Sequence, residues 1–374
     1  MNFDNLTPED LQKLIKELDE NITTRLLNLF KQFAKEIATL GIVKSYLSTK
    51  QQKLLSEMKR LSEIVDNRIY TLFDNIYIIV TTSYTTAWQI GEKYAETTTK
   101  LNLRGNQKTL EYLRKAGIFK QREKAMEAFK INEESFRFST RVWKEGVRGQ
   151  IEGALQLAQS KGQSAAELAR ELQKFLQEPD KLYRRIKDPD TGELKLSKAA
   201  QKYHPGQGVY RSSYKNALRL ARTEINNAYR RAEWQSYQNN PVIIGYRVKL
   251  SNNHTLVNPK TGIPEPFTDI CDYAQGLYPK DFKWHGWHPQ CRCIMIPVFA
   301  SEDIEKMEDA ILEGKSPDTI KPKQITTIPK KFIDWSQKHK KQISGWSSKP
   351  DYILDNQKYA EKYFVYKDVF KESE

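Results

Sequence analysis

The sequence predicts an α+β protein: a predominantly α-helical N-terminal part, followed by a mixed domain in which helices and a small sheet carry a loop with cysteines and histidines. Two observations lead to this class. Apolar residues recur every three or four positions through about the first 100 residues, which is typical of amphipathic helices. After residue 240, two β-like segments, Val242–Leu250 and Cys291–Phe299, flank a loop of about 40 residues, and so long a loop usually has a function. The 374 residues allow two or three domains.

The first helices are predicted from capping and periodicity. Thr7-Pro8-Glu9-Asp10 is a helix start, because threonine can cap free N–H groups, proline fits the first turn and acids favour the positive end of the helix dipole. The apolar stripe that follows runs from Leu11 to Ile37. A second stripe runs from Leu54 to Ile76 and continues to about residue 100 through threonines, which are poor helix formers.

Further helices are expected near 106–130 and 133–160, with Gly162 in a left-handed C-cap position. Ser164-Ala165-Ala166-Glu167 is a capping box that opens another helix, which Pro179 ends.

The rest of the chain alternates between turns and regular structure. Turn chemistry dominates 179–208, with Asp188-Pro189-Asp190-Thr191-Gly192 and His204-Pro205-Gly206 as its loop signals. A helix is predicted from near Val209 to about Gln238. After residue 300 we expect a capped helix at Ser301, a linker near 315–330 and a short aromatic-rich end. The predicted domains are 1–149 (helical), 150–300 (mixed) and 301–374 (helix, linker and tail).

Composition limits where the protein can work. The longest purely apolar run, Ile76–Val80, is far shorter than the roughly 20 residues that span a bilayer. No basic-then-apolar leader opens the chain, so we expect neither secretion nor a membrane anchor. The three cysteines lie between 271 and 293, which indicates a local site in a reducing compartment rather than a disulfide framework.

Positive charge is concentrated near the middle of the chain. Residues 181–250 contain 15 Lys or Arg against 5 Asp or Glu, which is +10 of the total +14. On the predicted 209–238 helix one face carries four basic residues, Arg211, Lys215, Arg219 and Arg222. Such a face suits non-specific contact with the backbone of double-stranded DNA, because neutralised phosphates release counterions. The alternatives are an ordinary solvated face, or basic residues paired with acids elsewhere in the fold.

The cysteines and two histidines predict a metal site. Cys291 and Cys293 are two apart, so on a strand both would point to one face. Four thiolate and imidazole ligands suit tetrahedral Zn²⁺. The predicted ligands are Cys271, His288, Cys291 and Cys293, with His285 as a substitute. A closed site of four ligands would be structural.

A second interpretation of the cluster needs no metal. Paired CxxC knuckles are missing, and Ala274 stands where the second cysteine of such a pair would be. Two small buried thiols could instead pack in a core, while His288 caps a strand through a hydrogen bond.

Two segments together resemble one protein family. Ala221-Arg222-Thr223-Glu224-Ile225-Asn226-Asn227-Ala228-Tyr229 is similar to the A-R-T-E helix of the phage Mu F-type head-morphogenesis (minor head) proteins. His288-Pro289-Gln290-Cys291-Arg292-Cys293 resembles that family's closing H-P-x-C-R-C signature. An Asp269…Cys271 loop lies between them, and the resemblance covers roughly residues 150–300. It marks Glu224, Pro289 and Arg292 as structural motif residues.

The resemblance implies a virion component present in few copies at the portal vertex. Its partners would be the portal protein and the major capsid protein, with a role in head assembly and possible non-specific contact with double-stranded DNA during packaging or delivery. Residues 1–149 would be the adaptor that contacts the portal. The protein would assemble in the cytoplasm of a bacterial host.

Members of this family are sometimes fused to toxin or nuclease domains, so a metal-dependent nuclease or nucleotide-modifying enzyme on the same scaffold is the alternative. Arg222 and Glu224 are two apart on a helix and point to different faces. The sequence contains no G-x-S-x-G, phosphate-binding loop or H-E-x-x-H motif. Three loop acids are available to a nuclease, Asp269, Asp272 and Asp281. We therefore expect no catalytic residues.

Overall fold

The computed structural model confirms the α+β class. It describes residues 3, 6–39, 59–119, 125, 147–151, 154, 164–178, 186–187, 194–195, 210, 212–251, 254–257, 261–346 and 349–366. In chain order, the first helices are α1 (Pro8–Thr39), α2 (Lys59–Asn102), α3 (Gln107–Lys115), α4 (Ala165–Gln177), α5 (Ser213–Gln238), the four-residue α6 (Ile270–Tyr273), α7 (Ser301–Leu312) and α8 (Lys330–Lys338). Short helices follow, namely α9 (Lys340–Ser344), α10 (Asp351–Leu354), α11 (Gln357–Tyr359) and a π-helical turn (Ala360–Phe364). The strands are β1 (Ile186–Lys187), β2 (Leu194–Lys195), β3 (Ile243–Lys249), β4 (Thr255–Val257), β5 (Pro264–Pro266), β6 (Gly276–Pro279) and β7 (Ile294–Phe299).

The chain divides into two compact units that interleave along the sequence. Unit 1 comprises Met1–Lys16, Tyr84–Ala125 and Thr223–Glu374, and unit 2 comprises Glu17–Ser83 and Met126–Arg222. Three of the four divisions between the units fall within α1, α2 and α5, and the fourth follows Ala125.

The two long N-terminal helices form as predicted. Thr7 caps α1: its Oγ1 accepts a hydrogen bond from the Asp10 N–H at 3.1 Å, and the Asp10 carboxylate accepts one from the Thr7 N–H at 3.0 Å. Helix α2 continues through its threonines, and hydroxyls such as those of Thr81 and Thr99 are satisfied within the helix by donating to the carbonyl four residues earlier. Among the described residues, no helix is both long enough and apolar enough to cross a bilayer.

The next helices differ from the prediction in extent. The helix expected over 106–130 ends at Lys115, because Gly117 takes a left-handed φ of 72° and the Ile118 N–H bonds back to the Leu113 carbonyl. Of the helix expected over 133–160, the described residues 147–151 and 154 are helical, and the rest lies outside the described residues, as does Gly162.

The middle of the chain confirms the capping box. Ser164 and Glu167 cap each other at the start of α4. Strands β1 and β2 pair antiparallel on either side of the predicted 188–193 turn, which lies outside the described residues together with His204-Pro205-Gly206. Helix α5 begins at Ser213 rather than near Val209, because the Ser212 Oγ accepts the Lys215 N–H at 3.1 Å as an N-cap.

A three-stranded antiparallel sheet in the order β6–β3–β7 positions the cysteines. The long loop between β3 and β7 is not irregular throughout, since it contains the β4–β5 hairpin, helix α6 and strand β6. Strand β7 begins at Ile294, so the prediction that Cys291 and Cys293 lie on this strand is wrong. Both cysteines lie in the turn immediately before it.

The aromatic end of the chain belongs to the core of unit 1. Trp287 packs against Phe332 and Tyr352, with ring centroids 4.8 and 5.4 Å apart, and Phe332 packs against Phe364. All four rings lie in the buried cluster that also contains the three cysteines. Helix α7 begins at Ser301 as predicted, but its N-cap, Ala300, makes no side-chain capping bond. The predicted linker contains a 3₁₀ turn at Pro317–Thr319.

Candidate metal centre

The three cysteine side chains converge in the interior. Cys271 comes from α6, whereas Cys291 and Cys293 come from the turn before β7, and all three are free thiols and buried. Cys271 Sγ lies 3.8 Å from Cys291 Sγ, and the three sulfurs lie within 4.8 Å of one another. A tetrahedral zinc ion with Zn–S bonds of about 2.3 Å separates its sulfur ligands by about 3.8 Å. This cluster could therefore hold a metal ion.

Protonation within the cluster is uneven. Hydrogen bonds from the thiols of Cys271 and Cys293 hold the pKa of Cys291 well below its usual range. The pKa of Cys271 is raised, first by its hydrogen bonds to Cys291 and Cys293. A metal ion that replaced the thiol protons would convert all three sulfurs into ligands.

His288 approaches the cluster beside Cys271. Its Nδ1 lies 2.8 Å from the Pro289 carbonyl oxygen, which can only accept, so Nδ1 donates this hydrogen bond. Nε2 then faces Cys271 Sγ at 3.2 Å and Asp269 Oδ2 at 3.1 Å. Nε2 is therefore the ring nitrogen that could bind a metal ion, in place of a proton shared with Asp269.

The donor atoms form two overlapping groups that share Cys271. One is the three thiols, and the other is Asp269, Cys271 and His288. The three predicted cysteine ligands are thus brought together, whereas His288 is grouped only with Cys271 and Asp269. Asp269 was not among the predicted ligands. Its position two residues before Cys271 could have indicated it as a ligand, because Asp269 is the N-cap of α6, the helix that carries this thiol.

His285 does not belong to the cluster, so its proposed role as a substitute ligand is wrong. Its side chain is buried, and its Nε2 lies 3.3 Å from Asp355 Oδ2 and 3.5 Å from Asp351 Oδ2. Burial first, and then nearby positive charges, lower the pKa of His285 to about 3. The ring is therefore neutral at physiological pH and faces the C-terminal helices.

Arg230 on α5 fixes the backbone around the cysteines. Its guanidinium donates to the carbonyl oxygens of His285 at 2.9 Å, Cys291 at 2.6 Å and Cys293 at 2.7 Å. It also lies 4.9 Å from the centre of the Trp284 ring and is only 4% exposed. A buried cation with three carbonyl acceptors is a strong constraint on the loop. Arg230 was not among the residues predicted from the sequence.

Other side chains on the same face of α5 add to this contact. Thr223 Oγ1 accepts the N–H of Gln290, which has a φ of 62°, at 3.1 Å. The Asn227 amide, oriented with its nitrogen toward the loop, donates to the His285 carbonyl at 3.0 Å. Gly286 has a φ of 147°, and a Cβ there would lie 3.0 Å from Arg230 Nη1. A side chain at this position would crowd the arginine.

The three motif residues differ in their surroundings. Glu224 is buried on α5, whereas Pro289 and Arg292 are exposed. The Pro289 carbonyl orients the His288 ring, as described above.

The predicted basic face is only partly available to a polyanion. Arg211 lies outside the described residues, and Lys215 is exposed. The Arg219 guanidinium lies 5.3 Å from the centre of the Tyr210 ring, and burial lowers its pKa. Arg222 donates to Asp19 Oδ1 at 2.8 Å and to Thr23 Oγ1 at 3.1 Å. Arg222 is therefore paired with an acid elsewhere in the fold, which was one of the alternatives to a DNA-contacting face.

Comparison of the chain with family models, with curated proteins and with solved structures finds no match. The likeness to the Mu F-type family therefore stays a prediction that rests on the A-R-T-E helix and the H-P-x-C-R-C segment.

Proposed function

We propose that the protein is a phage minor head protein of the Mu F type, acting at the portal vertex in head assembly. One observation supports this most: the two segments that carry the resemblance bond to each other. Thr223 of the A-R-T-E helix accepts from Gln290 of the H-P-x-C-R-C segment, and Arg230 on the same helix holds the carbonyls of Cys291 and Cys293. Two motifs that form one contact are expected to occur together in a family.

We further propose that a structural zinc ion stabilises this contact. Cys271, Cys291 and Cys293 would supply three sulfurs, and His288 the fourth ligand. Soft thiolates favour Zn²⁺ over Mg²⁺ or Ca²⁺, and a closed four-ligand site leaves no position for a substrate. Zinc sites of this kind have apparent binding energies of roughly 10–16 kcal/mol, enough to decide whether the loop is ordered.

The proposed partners follow from the family. They are the portal protein and the major capsid protein, with residues 1–149 as the adaptor. Contact with double-stranded DNA would be non-specific, with exposed Lys215 and the residues around it touching phosphates. The proposed location is the virion, after assembly in the cytoplasm of a bacterial host.

Co-assembly tests the proposal. The chain is expressed together with the portal and major capsid proteins of the proposed phage, and purified heads are analysed by quantitative mass spectrometry. We expect a few copies per head, and fewer with the Cys293→Ser variant than with a Lys315→Ala surface control. Heads that contain none of the wild-type chain would refute the proposed function.

The alternative is a metal-dependent nuclease, favoured by the carboxylates of Asp269 and Asp272 near the thiols. Asp281 does not join them, because it accepts from Tyr359 Oη at 2.7 Å and from Lys358 Nζ at 3.2 Å. Incubation with plasmid DNA and divalent cations tests this alternative. Cleavage that is lost in chelator and in Glu224→Ala or His288→Ala would establish an enzyme, whereas intact plasmid supports the structural role.

A further inference from the structure

A second group of metal-ligating atoms lies beside the thiols. His254 Nε2 is 3.1 Å from Asp272 Oδ2 and 3.6 Å from Asp269 Oδ1, and one ligand atom of each lies within 4.8 Å of the others. Ligands bound to one metal ion at about 2.1 Å in tetrahedral geometry are separated by about 3.4 Å. The two measured distances bracket this value.

A ring stack and backbone hydrogen bonds hold the three side chains in place, and a cation bound here would replace the proton that His254 Nε2 donates to Asp272 Oδ2. The His254 ring stacks on Phe267, with centroids 4.1 Å apart. Asp269 Oδ1 accepts the Cys271 N–H at 2.7 Å, and Asp272 Oδ2 accepts the Asp269 N–H at 2.8 Å. Each carboxylate oxygen has a second lone pair, so these backbone bonds fix the rotamers without using up the acceptors.

Asp269 connects this group to the thiol cluster. Its Oδ1 faces His254 at 3.6 Å, and its Oδ2 faces His288 Nε2 at 3.1 Å. The Nδ1 of His288 donates to the Pro289 carbonyl, so Nε2 is the ring nitrogen that faces this carboxylate. Asp269 therefore lies between the two groups of ligand atoms.

We propose that His254, Asp269 and Asp272 form a second, open divalent-cation site beside the thiolate site. This inference goes beyond the proposed function, which needs only the closed zinc site. One imidazole and two carboxylates suit zinc, manganese or cobalt ions.

The second site differs from the first in access to solvent. The side chains of His254, Asp269 and Asp272 are 14%, 24% and 29% exposed, whereas the three thiols are buried. Three protein ligands leave at least one position for water or a phosphate oxygen. The second site should therefore bind its ion more weakly, exchange it faster and accept an anionic oxygen ligand.

Cobalt titration of the full chain separates the two sites. Protein stripped of metal under reducing conditions is titrated with Co²⁺, and absorption and bound metal are followed together. We expect a first equivalent that gives sulfur-to-cobalt charge transfer in the near ultraviolet. A second, weaker equivalent should add only visible d–d bands, because its ligands are nitrogen and oxygen.

Variants assign the second equivalent. His254→Ala and Asp272→Asn should each raise the dissociation constant of the second equivalent at least tenfold while the charge-transfer band stays, which also shows that the fold is intact. The matched controls are His339→Gln and Asp309→Asn, both outside the cluster. A wild-type chain that binds a single equivalent, or a second equivalent unchanged in both variants, would overturn the proposal. A wild-type chain that lacks the charge-transfer band but binds the nitrogen- and oxygen-ligated equivalent would count against the zinc site and would support this second site.

Discussion

The two halves of α5 use basic residues in opposite ways. In the first half, up to Arg222, Lys215 is exposed and Arg222 pairs with Asp19 at 2.8 Å within unit 2. In the second half, from Thr223 onward, Arg230 is buried and donates to three carbonyl oxygens of the cysteine loop. The first half carries most of the basic face that was predicted from the sequence, whereas the second half positions the candidate metal centre.

The comparison shows that burial and acceptor geometry, rather than the number of charges, decide what a cation on a helix does. An exposed ion pair contributes little to stability, because water screens it. A desolvated guanidinium with fixed acceptors contributes more, because removing it leaves those acceptors buried and unsatisfied.

The largest effect is expected for Arg230→Met. It removes three charge-assisted hydrogen bonds and leaves buried carbonyls without their donor, so we expect a loss of about 3–5 kcal/mol in the free energy of unfolding. Urea denaturation measures this loss. The control, Arg292→Met, changes an exposed arginine of the same loop and should alter stability by less than about 0.5 kcal/mol. Equal losses of unfolding free energy in the two variants would contradict the proposed difference between a buried and an exposed arginine.

The second-largest effect concerns the pH dependence of the unfolding free energy, through His285 in the loop that Arg230 holds. The pKa of His285 is lowered by burial to about 3, so between pH 3 and its ordinary pKa the unfolded chain binds the extra proton. Stability should therefore fall as pH drops below about 6.5, by about 2 kcal/mol between pH 7 and pH 5. The His285→Gln variant should lose this part of the pH dependence. An identical pH profile in the variant and the wild type would contradict the burial argument.

A smaller effect is expected in the first half of α5. Arg222 and Asp19 are 21% and 28% exposed, so their ion pair is partly screened. A double-mutant cycle with Arg222→Ala and Asp19→Ala should give a coupling energy of about 0.5–1 kcal/mol. A coupling as large as the Arg230→Met loss would mean that the two halves do not differ.

The smallest effect on stability is expected at Lys215. Lys215→Ala should leave the unfolding free energy within about 0.5 kcal/mol of wild type. If Lys215 touches phosphate, the slope of log affinity for random duplex DNA against log salt should fall by roughly 0.9. The Arg222→Ala variant is the comparison, because its guanidinium is already paired and its slope should change less. A flat slope in the wild type would remove the DNA contact.

The helical part of the fold was predictable because its signals are local. The Thr7 cap, the Ser164–Glu167 capping box and the periodic stripes each lie within a few residues, and all of them form. Helix α3 ends early because Gly117 takes a left-handed conformation. The apolar periodicity past this glycine predicted a longer helix. The start of β7 could not be read from alternation, because Cys291 and Cys293 are apolar enough to extend the pattern.

The thiols of the site were predictable from the sequence, but the residues that hold the loop in place were not. Cysteines are recognisable as candidate ligands by residue type alone. Arg230 is one of many basic residues, and its role depends on a contact about 60 positions away. His285 and His288 are alike in sequence. Only the packing of the C-terminal helices around Asp355 shows that His285 turns away from the sulfurs.

The proposed zinc ion in the thiol cluster can be measured by elemental analysis of the full chain, purified without added metal. We expect close to one tightly held zinc ion per chain, lost in the Cys293→Ser variant. Less than about 0.2 equivalents of any transition metal in the wild type would contradict a zinc site, because a site of roughly 10–16 kcal/mol keeps its ion through purification.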